Sequence, residues 1–200
     1  MSLDASPLGR RERNKRDKLE RITAAAGELF AARGVDDVTT QEVADRADIG
    51  TGTLFLYART KGELLLLVQN SMYAEAIDRG RADAAGIDDV VAAVLAVVRP
   101  VVECNRKQID NGRTYLREIV FGDPEEPHHR DALGLTVRTE EVMAEAIART
   151  SGVGPEVARA RARIVSAVMF LTMAASINVH LSVDEVVEEI AGQVRTLLAV

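Results

Sequence analysis

Tryptophan is absent from this sequence of 200 residues, cysteine occurs once, and aromatic residues make up only 4% of the chain. The single cysteine, Cys104, excludes an internal disulfide and suits a reducing cytoplasm. The longest apolar stretch, from Ile164 to Val179, is too short and too interrupted by Ser and Thr to span a bilayer comfortably. The polar, basic N-terminus has no signal-peptide core behind it. We therefore expect a cytoplasmic protein with no membrane association.

Strand-like alternation and internal repeats are also missing from the sequence. Alanine, leucine, valine, glutamate and arginine dominate, and this composition favours helices over sheets. The sequence therefore predicts an all-α protein.

Charge is distributed unevenly along the chain. The net charge of −6 alone argues against nucleic-acid binding. Residues 10–21, "RRERNKRDKLER", nevertheless hold seven Lys and Arg against three Asp and Glu, a local charge of +4 that leaves −10 for the remainder. Such asymmetry often marks the place where a polyanion docks, although a solvated, disordered tail is an equally good interpretation of a charge run alone.

Residues 19–68 combine several helix signals at short intervals. Apolar residues at helical spacing end at Gly34, and Thr39 with Glu42 forms a capping box for a short helix near Thr40 that buries Val43, Ala44 and Ala47. Asp48 stands where the chain must turn sharply, because aspartate tolerates the left-handed conformation. A second short helix is predicted from Thr51 to about Tyr57.

The next segment repeats the capping signal, since Thr60 and Glu63 bracket the first turn of a leucine-rich helix that extends to Ala76 or beyond. Two short helices joined by a tight turn between longer helices predict a helix-turn-helix. This arrangement disfavours a phosphate-binding loop at "GTG" (residues 50–52), because such a loop requires a preceding strand.

The remaining residues predict a body of five helices. They lie around Val90–Val98, at "RTYLREIVF" (residues 113–121), at Arg130–Thr150, at Glu156–Ile177, and from Ser182 to the end. Pro100 is expected to break or kink the first of these helices. Ser182 and Glu185 form a third capping box. The last helix carries an apolar stripe from Val183 to Leu198, which includes Val194. We expect this stripe and the apolar residues of Ile164–Ile177 to form a four-helix bundle between two subunits.

The order "VTTQEVADRADI", "GTL", an aromatic residue, any residue, Tyr and then "TKGELL" resembles the tetracycline-repressor-like (TetR) family of bacterial transcription regulators, over about residues 18–68. The resemblance implies a DNA-binding domain at residues 1–66 with a basic N-terminal arm, and a regulatory domain at 67–200 for ligand binding and dimerisation. It also implies a homodimer that binds a double-stranded palindromic operator as a repressor and is released by an unknown small, apolar effector.

The resemblance, together with the residue types, assigns the contacts with DNA. Threonine hydroxyls, glycines that allow close approach, an aromatic ring, and the Tyr57 and Lys61 phosphate clamps make up the predicted set. This set consists of Thr39, Thr40, Gly50, Thr51, Gly52, Thr53, Phe55, Tyr57 and Lys61. Leu56 and Ala58 stand where the family usually carries histidine and an aromatic residue, which weakens polar base readout there.

Other sites are weaker candidates. The apolar faces around Tyr115, Ile119, Met169 and Met173 are a suggested lining for the effector pocket, although such residues more often form plain core. We expect no metal at His128 and His129, no redox role for Cys104, no cofactor and no catalytic residues. Two alternatives remain open: a helical enzyme or carrier that bears a helix-turn-helix, and a protein that uses these helices only to bind partner proteins.

Overall fold

The computed structural model describes residues 9–199, which form nine α-helices and a short 3₁₀ turn at Ser176–Asn178 without any strand. The predicted all-α class is confirmed. The helices are α1 Arg10–Arg33, α2 Thr40–Arg46, α3 Thr51–Leu54, α4 Lys61–Ala84, α5 Val90–Arg106, α6 Ile109–Phe121, α7 Pro127–Ser151, α8 Pro155–Ala174 and α9 Val183–Leu198. Within this described range, no helix is long and apolar enough to cross a membrane.

The predicted capping signals are confirmed in the N-terminal helices. Thr39 and Glu42 exchange both hydrogen bonds of a capping box at the start of α2. Hydrogen bonds from Thr39, followed by those from Arg33, lower the pKa of Glu42 to about 2. Asp48 adopts the expected left-handed conformation, with a φ of 52°. These features fix the turn between α2 and α3 and hence the direction of α3.

Two predicted helix limits are wrong, each for a local reason. Helix α3 ends at Leu54 and not near Tyr57, because the following amides bond three residues back and tighten the chain into a turn. Helix α8 ends at Ala174, since Ala175 is extended and the Asn178 side chain donates to the Thr172 carbonyl. Of the two alternatives for Pro100, a break is excluded, because α5 continues through this buried residue to Arg106.

Helix α4 connects the two predicted domains without a break. Its first turns pack on α1, while its later turns pack on α5 and α7. At Gly80 the backbones of α4 and α5 approach so closely that an added Cβ would lie 2.9 Å from the Cα of Val97. The predicted boundary at residue 66 falls inside this helix, and residues 1–8 and 200 of the predicted domains lie outside the described range.

The apolar stripe of α9 is part of the chain's own core. Val186, Ile190 and Val194 are buried against α5 and α8, and Val194 is only 1% exposed. Partners within the same chain therefore already cover most of this stripe, and dimerisation through the last two helices stays a prediction. Val194→Glu would bury a charge and unfold the protein, and a folded monomer is not the expected product.

Candidate nucleic-acid interface and ligand cavity

The surface around α3 is open to solvent. Positions Gly50 and Gly52 have no atom within 4 Å of an added Cβ. Phe55 and Leu56 are 44% and 83% exposed, although both are apolar. The Thr51 hydroxyl donates to the Gln41 side chain of α2 at 2.6 Å, which links the two short helices. Leu54 is buried and anchors α3 to the domain core. The other residues of the helix remain accessible to a binding partner.

Several predicted phosphate contacts already have partners within the protein. The Thr39 hydroxyl donates to the Glu42 carboxylate at 2.9 Å, and Thr40 is half-buried. The Tyr57 hydroxyl donates to the Lys15 carbonyl at 3.4 Å, and the Lys61 ammonium donates to the carbonyls of Val35 and Asp36 at 3.0 and 2.9 Å. Lys61 therefore ties the α1–α2 loop to α4, and one of its three N–H donors is left for a phosphate. Phosphate binding by these residues stays a prediction.

The basic run lies on a helix. Helix α1 begins at Arg10, and residues 10–18 are all exposed, whereas Leu19 is half-buried and Ile22 is the first residue of the buried core. At 1.5 Å per residue, the exposed part of α1 extends about 13 Å. Arg16 forms an ion pair with Glu20 at 3.3 Å. Residues 10–26 contain neither glycine nor proline, which favours this continuous helix over a disordered tail.

The four suggested pocket residues lie together. Tyr115, Ile119, Met169 and Met173 line a narrow cavity among α4–α8 with a volume of about 40 Å³, here called the inner cavity. Its lining carries no charged side chain. The hydroxyls of Thr136 and Thr139 donate to carbonyls of their own helix, so the walls offer few free polar groups. Ligand binding in the inner cavity stays a prediction.

A chain of hydrogen bonds connects the inner cavity to the turn after α3. The Tyr115 hydroxyl donates to the Asn70 side chain at 2.8 Å, and Asn70 in turn donates to the His128 carbonyl at 2.9 Å. The His128 Nε2 lies 3.0 Å from the Tyr57 carbonyl, which requires the hydrogen on Nε2. Sequence reasoning missed Asn70 and the contact of His128; a polar residue amid the leucines of α4 was the available signal for Asn70.

Neither His129 nor Cys104 has the surroundings of a reactive site. His129 is buried, and its Nε2 lies 3.1 Å from the Ile119 carbonyl, a different partner from that of His128. Between residues 9 and 199 there is no group of three His, Cys, Asp or Glu side chains that could hold a metal ion. Burial raises the pKa of the Cys104 thiol to about 11, which disfavours the nucleophilic thiolate.

Comparison with known proteins identifies the N-terminal domain and the fold. The sequence profile described as "Bacterial regulatory proteins, tetR family" matches residues 22–68. No curated protein sequence matches the chain at a significant level.

Three solved structures illustrate the shared fold. A TetR transcriptional regulator from Rhodococcus sp. RHA1 is 19% identical, with 93% of this chain and 97% of that one covered and a TM-score of 0.68. A TetR/AcrR-family regulator from Thermobifida fusca is 23% identical, with 92% and 97% covered and a TM-score of 0.64. Thermus thermophilus FadR, a TetR-family repressor in complex with lauroyl-CoA, is 24% identical, with 90% and 93% covered and a TM-score of 0.66. Residues 22–68 therefore match the DNA-binding domain of the tetR family of bacterial regulators, and the chain shares its overall fold with these solved members of that family.

Proposed function

We propose that this regulator is a repressor that binds a palindromic operator as a homodimer and releases it when a small apolar molecule enters the inner cavity. The observation that carries the proposal is the hydrogen-bonded connection from Tyr115 in the cavity wall to the Tyr57 carbonyl beside α3. A ligand that displaces the Tyr115 ring would disturb this connection and so shift the orientation of α3. The lauroyl-CoA complex of Thermus FadR supports an effector with an apolar chain, because that protein has the same fold and its ligand carries an acyl chain.

Operator binding is tested by titrating labelled DNA taken from beside the protein's own gene. The proposal predicts tight binding that weakens steeply as salt increases, and weaker binding to a scrambled sequence of the same length. An enzyme, carrier or partner-binding protein that merely contains a helix-turn-helix would not distinguish the two sequences.

The hydrogen-bonded connection is tested by a double-mutant cycle on operator affinity. Tyr115→Phe removes only a hydroxyl, and His128→Ala removes the contact with the Tyr57 carbonyl. If the connection holds α3 in position, each variant is expected to lose about fivefold in affinity and the double variant no more than either, a coupling of about 1 kcal/mol. Tyr73→Phe is the control, since Tyr73 stacks on Tyr115 at 4.3 Å but bonds to Asn105 instead. Independent, additive losses would contradict the connection.

The dimer is proposed to form through the outer face of α8. Ile164 and Leu171 are 47% and 71% exposed there, with half-buried Val168 between them and Gln193 of α9 alongside. A continuous apolar surface of this kind is unusual on a monomer and typical of an interface. It replaces the stripe of α9 as the surface available to a second subunit.

Leu171→Glu is therefore expected to give a folded monomer with strongly reduced operator affinity, because a charge would be buried at the two-fold interface. Leu171→Met, which keeps an apolar side chain, should remain a dimer. Light scattering at micromolar concentration measures both, and circular dichroism checks the fold. A monomeric wild-type protein would contradict the proposed dimer.

A further inference from the structure

The inner cavity adjoins a second concave surface. This outer groove has a volume of about 330 Å³ and is lined by residues of α6 and α8 and by Asp36 of the α1–α2 loop. Leu116 and Phe170 line both the groove and the inner cavity, so these two side chains form a shared wall. Because only these two side chains separate the compartments, rotation of Leu116 or Phe170 would join them into a site for a ligand that is longer than the inner cavity alone would hold.

The outer groove combines apolar surface with positive charge. Val120 and Phe121 are 56% and 82% exposed at its edge. Arg113 and Arg117 also line it, and Arg117 lies 3.7 Å from the carboxylate of Glu118. By contrast, no carboxylate within residues 9–199 forms an ion pair with Arg113. The groove therefore differs from the inner cavity, whose walls are uncharged.

Arg113 is an uncompensated, partly buried cation. Its Nε atom is buried without a hydrogen-bond partner, as is the Nε of neighbouring Arg106. The remaining guanidinium donors of Arg106 bind the carbonyls of Asn178 and Val179, which carry no full negative charge. Burial, and then repulsion by Arg113, lowers the pKa of Arg106. Two adjacent guanidiniums in such surroundings are costly unless an anion compensates them.

The same groove limits how much negative charge a ligand could carry. Asp36 and Asp110 line it, both exposed and both beyond ion-pair distance of Arg113. They would repel a head group with several phosphates while leaving Arg113 available to one small anion. A single carboxylate matches the planar fork of a guanidinium.

We propose that the outer groove and inner cavity together bind an unesterified carboxylic acid with a long apolar chain. Its carboxylate lies on Arg113, and its chain passes Leu116 and Phe170 into the inner cavity. This inference rests on the proposed ligand-responsive function and specifies the chemical class of the effector. Arg113 is then the residue that distinguishes an acid from a neutral molecule of the same length.

The test is calorimetric titration of the DNA-free protein with dodecanoate, dodecanol and dodecanoyl-CoA, which share one apolar chain. We expect dodecanoate to bind about 10- to 100-fold more tightly than dodecanol, as one charge-assisted pair provides. Arg113→Gln should remove this preference while leaving dodecanol binding unchanged. Arg117→Gln, on the same helix, is the matched control and should retain the preference. Arg113→Gln should also melt no lower than the wild type without ligand, because an uncompensated charge is removed.

Three results would overturn the inference: absence of dodecanoate binding, equal binding of the acid and the alcohol, or tighter binding of the CoA thioester. Retention of the acid preference in Arg113→Gln would equally overturn the role of that residue. Because these titrations contain no DNA, they are independent of the operator titration. A wild-type protein that binds dodecanoate but no operator would contradict the proposed repressor function. The proposed ligand site would be unaffected by that result.

Discussion

Replacing Gly52 by Glu is expected to abolish operator binding, by about 100-fold or more, without destabilising the protein. The added side chain meets no atom within 4 Å and therefore points into the open space beside α3. If this space receives DNA, a carboxylate is forced against phosphates, and like charges in such contact cost several kcal/mol. Glutamate is also a better helix former than glycine, so the melting temperature should not fall. Fluorescence anisotropy measures the DNA affinity, and circular dichroism measures the melting temperature.

Gly134→Glu is the matched control for this prediction. Gly134 lies on α7, and an added Cβ there likewise meets no atom within 4 Å. The control introduces the same charge at a helical glycine and should bind operator as the wild type does. Normal operator binding by Gly52→Glu would mean that DNA does not approach α3 at this point.

Removing the basic start of α1 is expected to weaken binding to every DNA sequence by about 10- to 100-fold at low salt. The substitution of Arg10, Arg11, Arg13, Lys15 and Arg16 by Gln keeps helix-forming residues and removes five positive charges. If three of these side chains reach phosphates, the slope of log affinity against log salt becomes shallower by about 3. Specific and scrambled DNA should lose affinity by the same factor, because phosphate contacts carry no sequence information.

An unchanged salt slope would show that the exposed part of α1 does not contact DNA. Deleting residues 1–16 tests the same point with the backbone removed as well. The two variants should lose DNA affinity by the same factor if charge alone is responsible. A larger loss of affinity on deletion would assign a role to the contact between Tyr57 and the Lys15 carbonyl.

Local signals in the sequence predicted local structure well. The capping boxes at Thr39 and Ser182 and the left-handed Asp48 involve residues within three or four positions of one another, so their geometry follows from short-range hydrogen bonds and sterics. The end of α3 was not predictable in this way. A helix of four residues completes little more than one turn, and a period of 3.6 residues gives no signal over that length.

Contacts between distant segments were predicted less well. The stripe of α9 shows that one face is buried, but a stripe does not specify whether its partner belongs to the same chain or to a second subunit. Here α5 and α8 cover it, and the exposed apolar face lies on α8. The connection from Tyr115 through Asn70 to His128 likewise joins three helices, and nothing in the spacing of these residues indicates that they meet. The proximity of Arg106 and Arg113 was not predicted for the same reason.

The most direct test of the central claim is an anisotropy titration of the wild-type protein with DNA from beside its own gene, at several salt concentrations, with a scrambled duplex as reference. The protein is expected to bind the natural sequence at least about 1,000-fold more tightly than the scrambled one, with a steep loss of affinity as salt rises. Equal affinity for both sequences at every salt concentration would contradict the claim that this protein recognises an operator through α3.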